Sequence, residues 1–240
     1  MSVDKVEEIL RKAKNDGRNF LFENEAKSIC ACYGIPTPKF YVAKSEDECV
    51  ECAKKLGLPV VLKIISRDII HKSDVGGVLL NLVSEEDVRS GIRKIVENLR
   101  KLKLDAAING FLVEELVKSP VEVIVGAFRD SQFGPVIMFG LGGIFVELLR
   151  DVSYRLCPIQ KVDAEEILTE IKFRQILEGY RNIPPVNKEA IINILIKTSR
   201  MVVENPIIAE VDLNPIAVGK DDAKVLDARI ILVPNTIQKV

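Results

Sequence analysis

Apolar residues in this sequence fall into short runs of strand length, of which Pro59–Leu62 and Pro135–Phe139 are examples. Runs of roughly four to eight apolar residues predict buried strands. Up to about residue 103 these runs alternate with amphipathic helical segments, whereas three strand-like runs follow one another after residue 110. This order predicts an α+β fold.

Capping residues mark where several of the elements begin. Ser45 is followed three residues later by Glu48, and Ser84 by Asp87, which is the pattern of a helix N-cap. The predicted helices cover residues 4–15, 20–33, 46–56, 84–103, 163–177 and 187–203. The predicted strands cover residues 39–43, 59–64, 78–83, 111–117, 121–128, 135–141, 207–218 and 223–232. Residues 146–159 are predicted to be irregular.

Charge and hydropathy exclude several classes of protein. The chain has 34 Lys+Arg against 35 Asp+Glu, a formal net charge of −1, which argues against a nucleic-acid partner. The apolar runs are far shorter than the roughly 18 residues of a membrane span, so no membrane association is expected. The charged N-terminal segment lacks the apolar region of a secretory signal, which predicts a cytoplasmic protein.

The five cysteines do not suggest a disulfide framework or a metal centre. Their number is odd. Cys49 and Cys52 have CxxC spacing, but they lie in a predicted helix, and the chain has a single histidine and no second ligand pair. A zinc or redox function is therefore not favoured.

The residues that remain suit phosphate chemistry. No GxxxxGK[ST] motif is present, and the segment GLGGIF at residues 140–145 is not a complete GxGxxG fingerprint. Lys63 ends a predicted buried strand and offers a point charge for phosphates. The pair Gly76-Gly77 ends a polar loop and predicts close approach of backbone N–H groups to phosphate oxygens.

Oxygen-bearing side chains cluster on the late strands. The period of two places Glu210, Asp212 and Asn214 on one face, with Asp227 on the next predicted strand beside them. Mg²⁺ prefers such oxygen ligands and typically takes one or two protein groups plus phosphates. The alternative from the pattern alone is the exposed face of an edge strand.

Five ordered segments are informative when taken together: Lys63, the loop His71–Gly77, VEE at 113–115, VDLNPI at 211–216 and VLDARI at 225–230. They resemble one known family, the ATP-grasp subunit of ADP-forming acyl-CoA synthetases, in particular the short β subunit of archaeal ADP-forming acetate–CoA ligases. The segment LFENEAKSICACYGIPTP at 21–38 is similar to the opening of the succinyl-CoA synthetase β subunit. The resemblance implies an ATP-grasp fold whose two lobes enclose the nucleotide, a small lobe at 38–110 and a large lobe at 1–37 and 111–240.

The same resemblance implies roles for individual residues. Those expected to contact ATP or ADP are Lys63, Lys72, Gly76, Gly77, Glu114, Val117 through its backbone, Glu122 and Arg229. Asn214 and Asp227 match the two Mg²⁺ ligands. Asp212 stands where the relatives have a glutamate associated with phosphohistidine handling, and Glu147 is expected to orient the incoming imidazole. A structural ion pair is the alternative for Arg229, and a tight turn is the alternative for the Gly-rich stretch. Arg129 and Asp130 are interpreted as turn residues.

The reaction of this family implies a partner. Acyl-CoA and phosphate give an acyl phosphate, a histidine of the other subunit is phosphorylated, and the phosphoryl group reaches ADP in the grasp site. This chain lacks a CoA-binding Rossmann region, so a separate α subunit carrying CoA-binding and phosphohistidine segments is expected, in an α2β2 assembly. Two other functions remain open: a non-catalytic nucleotide-sensing subunit, and a stand-alone ligase that forms acyl phosphates.

His71 is the single histidine, and it precedes Lys72 and the two glycines in the presumed phosphate loop. An imidazole can be neutral and nucleophilic near neutral pH. We hypothesise that His71 receives the phosphoryl group and passes it to ADP, while Lys72 and Lys63 screen the charge. In the milder alternative, His71 only hydrogen-bonds to phosphate.

Overall fold

The computed structural model describes residues 2–69, 71–102, 106–142 and 151–234. These residues form two compact units, Pro38–Val117 and the combination of Met1–Thr37 with Lys118–Val240, here called the small unit and the large unit. The elements follow one another as α1 (Ser2–Asn15), α2 (Glu23–Cys32), β1 (Phe40–Ala43), α3 (Glu46–Leu56), β2 (Val60–Ser66), β3 (Val78–Leu82), α4 (Glu85–Lys101), β4 (Ile108–Glu115), β5 (Val121–Asp130), β6 (Gly134–Leu141), β7 (Val152–Leu156), α5 (Lys161–Glu170), a 3₁₀ turn (Arg174–Ile176), α6 (Lys188–Glu204), β8 (Ile208–Val218), β9 (Ala223–Val225) and β10 (Ala228–Leu232).

The small unit is an antiparallel sheet in the order β1-β4-β2-β3, with α3 and α4 packed on one face. Both helices begin at the predicted caps, because the hydroxyl of Ser45 accepts the Glu48 N–H and that of Ser84 accepts the Asp87 N–H. Every residue of β2 is buried. The side chains of β2 are therefore buried on both faces of the sheet. Only one of these two faces is the core covered by α3 and α4.

The small unit ends after β4. This strand pairs with β1 on one side and with β2 on the other. A boundary at 110, as drawn from the sequence, would separate most of β4 from both partners. The compact unit instead continues to Val117.

The large unit contains a second antiparallel sheet in the order β10-β8-β5-β6-β7, with β9 paired to β8. Its core face packs against α1, α2, α5 and α6 through alternate strand residues such as Val123, Val125, Val211 and Leu213. The intervening residues point to the opposite face. Among them, Glu210 and Asn214 are exposed and Asp212 is half-buried. The predicted polar face of this strand is therefore present.

Two secondary-structure predictions between residues 146 and 177 were wrong. The segment predicted to be irregular contains β7, and the helix predicted over 163–177 ends at Glu170. Both differences arise from side chains distant in sequence. The Asp151 carboxylate accepts the N–H groups of Lys172 and Phe173, at 2.9 and 3.1 Å. These N–H groups therefore do not continue the helix, which ends at Glu170. Arg155 of β7 pairs with Glu170 at 2.6 Å and, with a hydrogen bond from Ser153, lowers the pKa of that carboxyl to about 2.

The hairpin between β5 and β6 forms as predicted. Asp130 accepts the N–H groups of Gln132 and Phe133, which lowers the pKa of its carboxyl. Arg129 does more than turn the chain, since its guanidinium donates to the carbonyls of Val202 and Asn205 at the end of α6 and to that of Ile208 at the start of β8.

The cysteines are free thiols. Burial raises the pKa of the Cys30 and Cys49 thiols to about 12, which keeps both protonated. None of the helices in the described part of the chain combines the length and apolar character needed to cross a bilayer.

Candidate functional site

Lys63 and Glu114 form a buried ion pair in the small unit. In the register of the sheet, Lys63 lies opposite Leu112 and Glu114 lies opposite Val61, so the two charged side chains are diagonal neighbours on the same face. Lys63 Nζ is 3.0 Å from Glu114 Oε2, and the side chains are only 7% and 3% exposed. An ammonium group can serve several acceptors at once. The structure thus joins two residues that the sequence had suggested separately as nucleotide contacts.

The loop that contains Gly76 and Gly77 returns beside this pair. Lys63 lies opposite Val78 in the sheet, and the Ile64 N–H donates to the Gly77 carbonyl at 2.9 Å. His71, at the start of the loop, is exposed, whereas Lys72 is half-buried. The loop is therefore anchored at its glycine end next to Lys63.

Packing and backbone conformation explain why glycine occupies positions 76 and 77. Gly76 adopts a φ of +64°, and a Cβ there would lie 2.4 Å from Asn98 Nδ2. At Gly77 a Cβ would lie 2.6 Å from Ile64 Cγ2. The Gly76 N–H donates to the Ser73 carbonyl, and the Gly77 N–H to the Lys72 carbonyl. Because both N–H groups close the loop's own turns, contacts from them to phosphate would require the loop to rearrange.

Replacing Gly77 with alanine is expected to destabilise the chain by about 1–3 kcal/mol, because the added methyl group overpacks against Ile64 and the Lys72 carbonyl. Denaturant unfolding measures this difference. Gly219→Ala is the matched control, since a Cβ there meets its nearest neighbour, Asp222 Oδ1, at an ordinary 3.4 Å. Equal stabilities of the two variants would contradict the packing argument.

The large unit brings Asn214 and Asp227 together. The Asn214 N–H donates to the Asp227 carbonyl at 3.1 Å. The region 223–232, predicted as one strand, is in fact two strands separated by a bend at Leu226 and Asp227. Arg229, half-buried, lies opposite Asp212 in the sheet. These residues share the face of the sheet that is opposite the helical core.

The donor set of this face suits Mg²⁺. An amide oxygen from Asn214 and a carboxylate from Asp227 are hard oxygen ligands, which Mg²⁺ and Ca²⁺ prefer over softer metals. Within the described ranges, no group of three or more His, Cys, Asp or Glu side chains is placed to hold a metal ion. Mg²⁺ commonly needs few protein ligands because phosphates and water complete its octahedron. The residues present therefore fit a nucleotide-associated Mg²⁺.

Comparison with known proteins identifies the family. Residues 12–232 match the ATP-grasp domain family. The chain is 49% identical over 230 residues to the acetate–CoA ligase [ADP-forming] I subunit beta of Pyrococcus furiosus, covering 96% of this chain and 99% of that one. The chain belongs to the ATP-grasp family of ADP-forming acetate–CoA ligase β subunits. The family and fold expected from the sequence are confirmed.

Comparison with solved structures supports the same family. The dinucleotide forming acetyl-coenzyme A synthetase 1 of Ca. Korarchaeum cryptofilum, in complex with coenzyme A, Ca-AMPCP and HgCl+, superposes with a TM-score of 0.93 at 50% identity, covering 94% of this chain and 99% of that chain. A second structure of that protein holds coenzyme A and Mg-AMPPCP, with its phosphohistidine segment pointing towards the nucleotide binding site. It gives a TM-score of 0.84 at 47% identity, covering 95% of this chain and 100% of that chain.

The remaining predicted residues of this ATP-grasp subunit are less closely grouped. Glu122 is exposed on β5 opposite Ala217, and its carbonyl accepts the Gly142 N–H at 2.8 Å. Val117 is half-buried and is the last residue of the small unit. Glu147 lies outside the described residues.

Sequence reasoning did not single out a buried pair in α2, Glu23 and Lys27. Lys27 Nζ donates to the carbonyl of Leu226, the residue before Asp227, at 2.7 Å. The signal available in the sequence was an i,i+4 Glu–Lys pair in the first two turns of this helix. Nothing in the sequence shows that this pair reaches a residue near the end of the chain.

Proposed function

We propose that this chain is the nucleotide-binding subunit of an ADP-forming acyl-CoA synthetase, which converts acyl-CoA, ADP and phosphate into the acid, CoA and ATP. The observation that carries this function is the 49% identity to an acetate–CoA ligase β subunit across 99% of that protein's length. The function is also supported by the buried Lys63–Glu114 pair of the small unit, which offers a cation, and by Asn214 and Asp227 of the large unit, which offer oxygen ligands for a metal ion.

Each unit contributes one kind of nucleotide contact in this proposal. In the small unit, Lys63 binds the phosphates while Glu114 holds its ammonium in place, and Lys72 adds positive charge. In the large unit, Glu122 contacts the nucleoside and Arg229 contacts phosphate. The Val117 backbone meets the adenine. Phosphoryl transfer depends mainly on such positioning and charge neutralisation.

Asn214 and Asp227 hold Mg²⁺ in this proposal, and the bound ion neutralises phosphate charge. Asp227→Asn is expected to raise the Mg²⁺ concentration for half-maximal ATP formation by about 100-fold, because the variant loses the anionic ligand. Titration of Mg²⁺ in the assay of the assembled enzyme measures this shift. Glu210→Gln, on the same exposed face of β8, is the control and should leave the titration unchanged. An unshifted titration for Asp227→Asn would remove this residue from the metal site.

The phosphoryl route proposed for this chain uses His71. A neutral imidazole nitrogen of His71 attacks the phosphorus of the partner's phosphohistidine, so that one N–P bond breaks as another forms. The terminal phosphate oxygen of ADP then attacks the same phosphorus, and the His71 imidazole leaves. Asp212 and Glu147 orient the imidazoles through their carboxylates. The exposure of His71 and the anchoring of its loop beside Lys63 support this route.

The partner in this proposal is an α subunit that carries the CoA-binding and phosphohistidine segments, in an α2β2 complex. The relative from Pyrococcus furiosus is named a subunit beta, and the Ca. Korarchaeum cryptofilum structure includes a phosphohistidine segment and coenzyme A. Both support a division of the reaction between two polypeptide segments.

The test is reconstitution. The chain is purified with its α partner, and ATP formation from acetyl-CoA, phosphate and ADP is measured for the complex and for each subunit alone. Activity is expected only in the complex. Activity of the isolated chain would favour a stand-alone ligase, and nucleotide binding without turnover in the complex would favour a sensor.

A further inference from the structure

The buried Glu23–Lys27 ion pair in α2 carries a high desolvation cost. Lys27 Nζ lies 2.9 Å from Glu23 Oε1, and the two side chains are 0% and 4% exposed. Charges buried to this degree are stabilising only when pairing and hydrogen bonds offset their desolvation, and apolar residues of similar volume often serve stability better. A role beyond the packing of α2 would explain why charges occupy this position.

The second contact of Lys27 suggests that role. The same Nζ donates to the Leu226 carbonyl at 2.7 Å, across 199 residues of sequence. Leu226 lies in the bend between β9 and β10, and its N–H donates to the Pro215 carbonyl at 2.9 Å. The next residue is Asp227, whose carbonyl accepts the Asn214 N–H at 3.1 Å. Hydrogen bonds from two directions, α2 and β8, therefore fix the backbone that carries Asp227.

We propose that Lys27 is a positioning residue for the metal site. By holding the Leu226 carbonyl, it sets where the bend places the Asp227 carboxylate relative to the Asn214 amide, and Glu23 holds the Lys27 ammonium in turn. Some groups do not contact the metal themselves but hold its ligands in position. Their removal typically lowers metal affinity by about 10- to 100-fold. This inference rests on the proposed function of Asn214 and Asp227 as metal ligands.

The chain offers a matched control in a second buried pair. Arg18 Nη1 lies 2.7 Å from Glu25 Oε2, with side chains 2% and 11% exposed. Its other hydrogen bonds go to the Phe20 carbonyl and the Asp16 carboxylate, and Glu25 also accepts the N–H of Phe22 at the start of α2. This pair secures the N-terminal end of α2 by contacts of the same kind and burial.

The experiment measures Mn²⁺ binding to the full chain in the presence of ADP by electron paramagnetic resonance, together with thermal unfolding. The double variant Glu23→Gln/Lys27→Met removes both charges at once and leaves no unpaired ion. It is expected to weaken Mn²⁺ binding by about 10- to 100-fold. The control Arg18→Met/Glu25→Gln is expected to lower the unfolding temperature and to leave Mn²⁺ affinity unchanged. Glu23→Gln alone, which keeps Lys27 and the side-chain volume, should shift the affinity in the same direction by a smaller factor.

Several results would overturn the inference. If Glu23→Gln/Lys27→Met and Glu23→Gln both bind Mn²⁺ as the wild type does, the pair is only structural. The same conclusion follows if the Arg18 control weakens Mn²⁺ binding equally, or if the double variant fails to fold and Glu23→Gln leaves the affinity unchanged. If the wild-type chain itself binds no Mn²⁺ with ADP, the proposed metal site fails, and the role of Lys27 fails with it.

Discussion

Replacing His71 with alanine is expected to reduce ATP formation by the assembled enzyme by at least about 10³-fold, because a relay that loses its nucleophile loses the covalent step. The substitution should leave folding almost unchanged. His71 is exposed, and surface substitutions usually alter the free energy of unfolding by no more than about 0.5 kcal/mol. The effect would therefore be one on chemistry.

The measurement follows a radiolabelled phosphoryl group. The complex is incubated with labelled ATP, digested under conditions that preserve phosphohistidine, and its peptides are mapped. Label is expected on the peptide containing His71 and absent from the alanine variant. Ser73→Ala, an exposed change in the same loop, is the control and should retain both label and turnover. An unlabelled His71 peptide, together with near-normal turnover of His71→Ala, would remove the relay and leave only a hydrogen bond to phosphate.

Local sequence signals predicted the parts of the fold whose causes are local. The helices that begin after Ser45 and Ser84 were predicted from a cap and an acidic residue three positions later, and the structure contains those hydrogen bonds. The polar face of β8 was likewise predicted, because alternation along a strand depends only on neighbouring residues.

The parts of the fold that were not predicted depend on interactions between residues distant in sequence. The helix that begins at Lys161 ends before the predicted residue 177 because the N–H groups of Lys172 and Phe173 donate to Asp151. Those hydrogen bonds span more than 20 residues. The strand β7 was missed because it forms by pairing with β6, and the partner of its charged residue Arg155 is Glu170 in another element. No local pattern shows that such a partner exists.

The same limit applies to the site. Lys63 and Glu114 were each recognised by resemblance, but their pairing follows from the register between β2 and β4, which a single sequence does not reveal. Gly76 and Gly77 were interpreted as a phosphate cradle because two glycines permit close approach to any group. In the structure, the groups that approach them are Asn98 and Ile64.

Replacing Lys63 with methionine is expected to destabilise the chain by about 3–5 kcal/mol, the usual cost of leaving one charge of a buried pair without its partner. Glu114 would retain a carboxylate that is only 3% exposed, with its 3.0 Å contact to the ammonium removed. Loss of activity in this single variant would therefore combine a folding defect with the loss of the proposed phosphate contact.

The double variant Lys63→Met/Glu114→Gln separates the two effects. With neither charge of this pair left, most of the stability should return, while ADP binding and ATP formation by the complex should stay low because the cation proposed to bind the phosphates is missing. Denaturant unfolding and ADP titration measure the two quantities separately. Lys54→Met is the control for lost ion pairs at the surface. Its partners Glu51 and Glu85 are each 3.3 Å away and all three side chains are about half exposed, so the cost should be below about 1 kcal/mol. If the double variant turned over like the wild type, the Lys63–Glu114 pair would serve the fold alone, and the phosphate contact would have to come from another cation of the small unit.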